Sequence, residues 1–163
     1  MLTFWNTNRR LMCDYKIEKL KQENYHRCSN IWDMKKYPDR TEEWYKEIVD
    51  GSREVYVYIK EKEYIGEIAI FQKISDPDYY IPGKRIYLSR MIVKSEFRNL
   101  GIGGILIDFL CDLARKRGYT EMSLGVDVVN KAARHLYIKK GFIEEIFHGT
   151  DRHGEYFKLL KKL

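Results

Sequence analysis

The chain has 163 residues, 44% of them hydrophobic and 33% charged, with a formal net charge of +6. That length suits one domain around one core, and the balance is that of a globular protein rather than a disordered or fibrous one. No apolar run reaches the ~20 residues of a membrane span, MLTFWNTNRRLMCDYK does not read as a secretory leader, and 30 basic residues interleaved with 24 acids form no nucleic-acid motif.

Residues 14–20 alternate weakly and predict a first strand, preceded by a segment 1–12 that either lies before a true start at Met12 or covers a sheet edge. Residues 23–36 carry Tyr25, Cys28, Ile31 and Trp32 at helical spacing, with Pro38 as the stop. Asp39 with Glu42 resembles a capping box for a second helix to about Val49, closed by Gly51. REVYVYIK (53–60) and EYIGEIAIFQ (63–72) read as a hairpin, although its turn pair, Glu61 and Lys62, is not a favoured one. SDPDYYIPGK (75–84) is a loop and RIYLSRMIV (85–93) a strand. A helix follows to about Arg117, with Ile102, Ile105, Leu106, Phe109, Leu110 and Leu113 on one face and Gly118 as its stop. TEMSLGVDV (120–128) is a strand, 130–140 a short helix closed by Gly141, and the remainder a hairpin around GTDRHG. The alternating second half implies parallel strands joined by a crossover helix. Cys13, Cys28 and Cys111 are odd in number and scattered, so a reducing cytoplasm is expected and a disulfide framework is not.

The stretch FRNLGIGGILIDFL (97–110) puts glycines at 101, 103 and 104 at the mouth of a helix. The first turn of a helix leaves N–H groups without partners and carries partial positive charge, so glycines there would let a phosphate approach closely. Taken alone this pattern reads equally well as a tight turn with close packing. A second motif, NKAARHLYIKKGF (130–142), changes the weighing. Arg98, Gly101, Gly103, Asn130, Ala133, Leu136, Tyr137, Gly141 and Phe142 together resemble the GCN5-related N-acetyltransferase (GNAT) family, specifically over about residues 85–145.

That resemblance implies one α/β domain over 1–163, with a mixed, centrally splayed β-sheet flanked by helices and acetyl-CoA as acetyl donor in the splay. It implies that the backbone of Met91, Ile92 and Val93 holds the pantetheine arm. Arg98 and the amides of Asn99, Leu100, Gly101, Ile102, Gly103 and Gly104 would hold the pyrophosphate. Asn130 would contact the arm, and Tyr137 would protonate the departing thiolate. The acceptor expected is a primary amine of a small cationic molecule. Relatives often carry glutamates where this chain has Ser89 and Gly125, so the usual base is not visible.

Glu67 lies in an otherwise apolar strand, where a carboxylate is either catalytic or paired, here with Arg90. Trp32, Asp33, Asp76, Asp78, Tyr79 and Tyr80 are candidates for an acceptor wall that attracts and stacks on a cation. Asp76 and Asp78 read as well as turn formers, and Tyr137 as a core tyrosine. His148 and His153 lack a third ligand and are read as a hairpin, not a metal site. Acetylation of a protein N-terminus or lysine, and a non-catalytic acyl-CoA-binding regulatory module, remain alternatives. A monomer or homodimer is expected, with neither nucleic acid nor membrane as partner.

Overall fold

The computed structural model describes residues 14–163; Met12 and Cys13 lie outside them. Its strands are β1 (Tyr15–Lys19), β2 (Arg53–Lys60), β3 (Glu63–Phe71), β4 (Arg85–Val93), β5 (Glu121–Asp127), β6 (Glu144–Asp151) and β7 (Gly154–Lys162). They form one sheet of seven strands in the order β1-β2-β3-β4-β5-β7-β6. Its α-helices are α1 (Pro38–Asp50), α2 (Ile102–Lys116) and α3 (Lys131–Lys139). The expected mixed sheet with flanking helices is the observed one.

The helical spacing at 23–36 forms a 3₁₀ segment, Gln22–Asn30, with Tyr25 and Cys28 turned inward. Pro38 begins α1 instead of ending the earlier segment, because a proline in the first turn loses no intrahelical hydrogen bond. The cap is therefore Tyr37, without a side-chain bond, and the Asp39–Glu42 capping box does not form. The hairpin between β2 and β3 turns on Glu61 and Lys62 at φ 50° and 65°, left-handed values usually given to Asn and Gly. The last hairpin is tighter than expected, since β6 and β7 pair up to Asp151 and Gly154.

Each face of the sheet buries its own core. On one face Ile68, Ile70, Ile86, Leu88, Met122, Leu124 and Leu159 pack with Leu106, Ile107 and Leu110 of α2. On the other, Val55, Val57, Ile59 and Ala69 pack with Tyr25, Cys28, Ile31 and Trp32, while Trp44 and Ile48 of α1 lean on them. The period-2 strand pattern and the one-sided stripe of α2 are the sequence causes of these two layers.

β4 and β5 are the parallel pair, and they pair only over Arg85–Tyr87 against Glu121–Ser123. Beyond Tyr87 they part. β4 carries an extra residue there: Ile70 pairs with Leu88 and Ala69 with Arg90, so Ser89 has no partner on β3. An extra residue of this kind bends its strand and sharpens the local twist, which opens the sheet.

Candidate active site

The splay is the cleft of the molecule. Its β4 wall is the stretch 88–93, still paired to β3 on one edge and free of β5 on the other. The chain then runs through a short turn into α2. Asn99 and Gly101 adopt positive φ, 61° and 86°, and coil the backbone into a nest of N–H groups. Ile105 N–H bonds the Gly101 carbonyl, but among the described residues the six consecutive amides from Asn99 to Gly104 have no backbone acceptor. Such a row at a helix start fits a pyrophosphate. Arg98 stands beside it, its Nε donating to the Val93 carbonyl at 3.0 Å.

The glycines have a reason other than room for the anion. A Cβ on Gly103 would lie 3.1 Å from Leu136 Cδ2 and 3.3 Å from Met91 Cε, and one on Gly104 2.9 Å from Lys140 Cε. Gly103 lets α2 press against β4 and α3, while Gly104 faces only the flexible end of the Lys140 side chain. Gly101 alone meets the demand of a left-handed turn.

α3 faces this turn. Asn130 caps it, accepting from Ala133 N–H at 3.2 Å. Tyr137 is buried, 7% exposed, with its ring edge-on to Phe142. Burial, and then the nearby Tyr87 phenol, push its pKa up to about 12, so it stays protonated at neutral pH. A phenol in that state can give a proton to a departing thiolate.

Glu67 points to the other face, 3% exposed, with Arg90 Nε 3.2 Å from its Oε1. Burial raises its pKa, and Arg90 opposes without reversing the shift. Arg90 is itself held between Trp32 and Trp44, 4.5 and 4.4 Å from their ring centroids. Arg53 extends the stack, 4.8 Å from the Trp44 centroid, bonding Glu47 and donating to Ser89 Oγ at 3.0 Å. Ser89, at the place of a common glutamate, is thus the bulge residue and an acceptor for Arg53.

The acceptor-wall candidates are not gathered in one place, and Tyr80 meets Tyr119, which packs against the core under α2. Trp32 is in the arginine stack, and Asp33 accepts from Lys36 N–H in a turn. Asp76 and Asp78 both bind Lys158 Nζ, at 2.6 and 3.0 Å, so neither is a free carboxylate. Tyr80 Oη is 3.5 Å from Tyr119 Oη. Tyr79 stacks on Tyr87 and lies over Gly125, where an added Cβ would meet its hydroxyl at 2.7 Å. Lys158 is a site-side residue that the sequence pattern does not single out; a lone lysine in the apolar run YFKLL is its signal.

A family model described as the acetyltransferase (GNAT) family matches residues 15–142. GCN5-related N-acetyltransferase 7, chloroplastic, of Arabidopsis thaliana is 43% identical over 61 residues, 37% of this chain and 22% of that protein. Streptothricin acetyltransferase of Streptomyces lavendulae is 31% identical over 96 residues, 56% of this chain and 49% of that protein. The chain therefore spans less than half the length of either curated relative. The crystal structure of aminoglycoside 6'-acetyltransferase type Ii superposes with a TM-score of 0.73 at 19% identity, over 90% of this chain and 96% of that one, a likeness of fold.

Proposed function

This chain belongs to the acetyltransferase (GNAT) family, and from that premise we propose that it transfers the acetyl group of acetyl-CoA to a primary amine of a small molecule. The observation that carries the reading is the row of unpartnered amides, Asn99 to Gly104, at the mouth of the β4–β5 splay, with a protonated Tyr137 beside it. Acetyl-CoA would supply an acyl group activated as a thioester. The amides and Arg98 bind its phosphates, and the free edge of Met91–Val93 orients its arm. Asn130 fixes the start of α3 and with it the position of Tyr137. The Tyr137 hydroxyl gives a proton to the sulfur as it leaves.

An alkylamine, with a pKa near ~10, arrives protonated and must lose a proton before it attacks. Glu67 is the carboxylate proposed to take it, since burial raises its pKa and with it the basicity of its ionised form. The streptothricin and aminoglycoside enzymes that the chain resembles support a small-molecule amine. Glu67, Asp76 and Asp78 are each matched to a basic side chain, which weakens their pull on a cationic acceptor.

The test is thiol release from acetyl-CoA with alkylamines, amino alcohols, amino sugars, spermidine, lysine esters and a peptide with a free N-terminus. Turnover of a small amine with the peptide inert is expected. Turnover of the peptide alone would move the reading to protein acetylation, and acetyl-CoA binding without turnover to a regulatory module.

A further inference from the structure

Tyr79 belongs to the loop between β3 and β4, and that loop is pinned down around it. Lys158, 7% exposed, reaches from β7 to Asp76 and Asp78 at 2.6 and 3.0 Å. Ser123 on β5 donates to the Tyr79 carbonyl at 2.5 Å, and Arg85 donates to the carbonyls of Pro77 and Asp78 at 3.0 and 3.2 Å. A surface loop is ordinarily mobile, and a lysine is buried only against partners.

What these bonds hold in place is one ring. Tyr79 packs on Tyr87 with centroids 4.3 Å apart, and Lys158 Nζ lies 4.9 Å from its centroid. Its hydroxyl rests where a Cβ at position 125 would be 2.7 Å away, so the phenol and a side chain at 125 exclude each other. Tyr87 is the last residue of β4 paired to β5, and Gly125 stands just past the parting. The phenol therefore projects over the mouth of the splay. Among the described residues its bonds run through the backbone alone, leaving the hydroxyl free.

We propose that Tyr79 is a specificity-determining residue for the acceptor, its hydroxyl bonding a polar group beside the reactive amine, and that Lys158 is the positioning residue that holds it there. The inference rests on the acetyl-transfer reading above. It favours amino alcohols and amino sugars over bare alkylamines.

The experiment compares ethanolamine and glucosamine with n-propylamine in thiol release. One neutral hydrogen bond gives a preference of about 3- to 10-fold in kcat/KM. Tyr79→Phe should remove that preference, lowering kcat/KM for ethanolamine and glucosamine about 3- to 10-fold relative to n-propylamine. Lys158→Met should act in the same direction, with Lys158→Arg restoring the preference. Gly125→Ala should displace the phenol and remove the preference in the wild type, yet cost nothing further in the Tyr79→Phe background. A Tyr79→Phe enzyme that keeps the preference, or loses all amines equally, overturns the proposal and leaves acetyl transfer standing. No thiol release with any amine overturns both.

Discussion

Replacing Gly101 by alanine, with Gly51→Ala as its matched partner, separates backbone strain from loss of the phosphate cradle. Gly101 sits at φ 86° and ψ 1° before α2. Gly51 ends α1 at φ 80° and ψ 3°, with no atom within 4 Å of where its Cβ would stand. Each alanine is forced into the left-handed region at a cost of roughly 1–2 kcal/mol. For a chain of this size that lowers Tm by about 2–8 °C, at ~2–4 °C per kcal/mol. The two variants should match without ligand and differ with it. Relief of strain at residue 101 rotates the flanking peptide planes, and the amides of Gly101 and Ile102 turn with them. Losing one charge-assisted hydrogen bond costs about 1.5–3 kcal/mol, so affinity for CoA falls by ~10- to 150-fold.

The assay is thermal melting with CoA at ~100 times its wild-type Kd, where the wild type gains about 2.7 kcal/mol, or ~5–11 °C. Gly51→Ala should keep that rise in full. Gly101→Ala should retain about 0.3–1.4 kcal/mol of it, because its Kd is weaker. Equal shifts in the two variants would refute the assignment of these amides to the pyrophosphate.

Tyr137→Phe should lower kcat by ~100-fold and leave the KM for acetyl-CoA unchanged, because the hydroxyl acts as the thiolate leaves; with the phenol pKa near about 12, the loss should be the same across neutral pH. Glu67 has a folded pKa above its ordinary value, so the folded state holds this proton more tightly, and stability falls as pH rises from the usual carboxylate range through the folded pKa. Glu67→Gln, which imitates the neutral acid, should flatten that dependence in melting curves and lose kcat/KM most above the folded pKa of Glu67, where the wild-type carboxylate is ionised, with recovery as pH nears the pKa of the amine itself; parallel pH–rate profiles would exclude Glu67 as the base. Asn130→Ala removes the cap on α3, costing about 1 kcal/mol and ~2–4 °C in Tm, and Asn130→Ser should restore it.

The elements and the cleft were legible because their signals are local. The pleat of β2 and β3, the stripe on α2 and the two motifs at 98–103 and 130–142 each lie within one or two elements. Pro38 misled because a proline can stop one helix or start another, and only the residues on its C-terminal side decide between the two. The reason for Gly103 and Gly104 was hidden as well. Both fit a phosphate loop by sequence, but the side chains they lie against, of Met91, Leu136 and Lys140, come from other elements. The acceptor side was least legible. Asp76 and Asp78 look like free carboxylates until β7 brings Lys158 to them across some eighty residues of chain. Gly125 looks like a missing acid until Tyr79 is seen to occupy its space.

One irregularity links the two halves of the site. The unpaired Ser89 lets β4 leave β5 after Tyr87, which leaves the edge of Met91–Val93 free of β5, the edge proposed for the donor. The same residue turns its hydroxyl to the opposite face, where it accepts from Arg53 and donates to the Ala69 carbonyl at 3.2 Å. Arg53 stacks on Trp44, Trp44 also carries Arg90, and Arg90 pairs with Glu67. A glutamate at position 89 would put a carboxylate where Arg53 now meets a hydroxyl, and would compete with Glu47 for that arginine. The chain instead buries its carboxylate one strand away, on β3, against a guanidinium held by two indoles. The serine at the bulge and the glutamate at 67 thus belong to one arrangement, in which the strand that parts from β5 also anchors the stack that holds the proposed base.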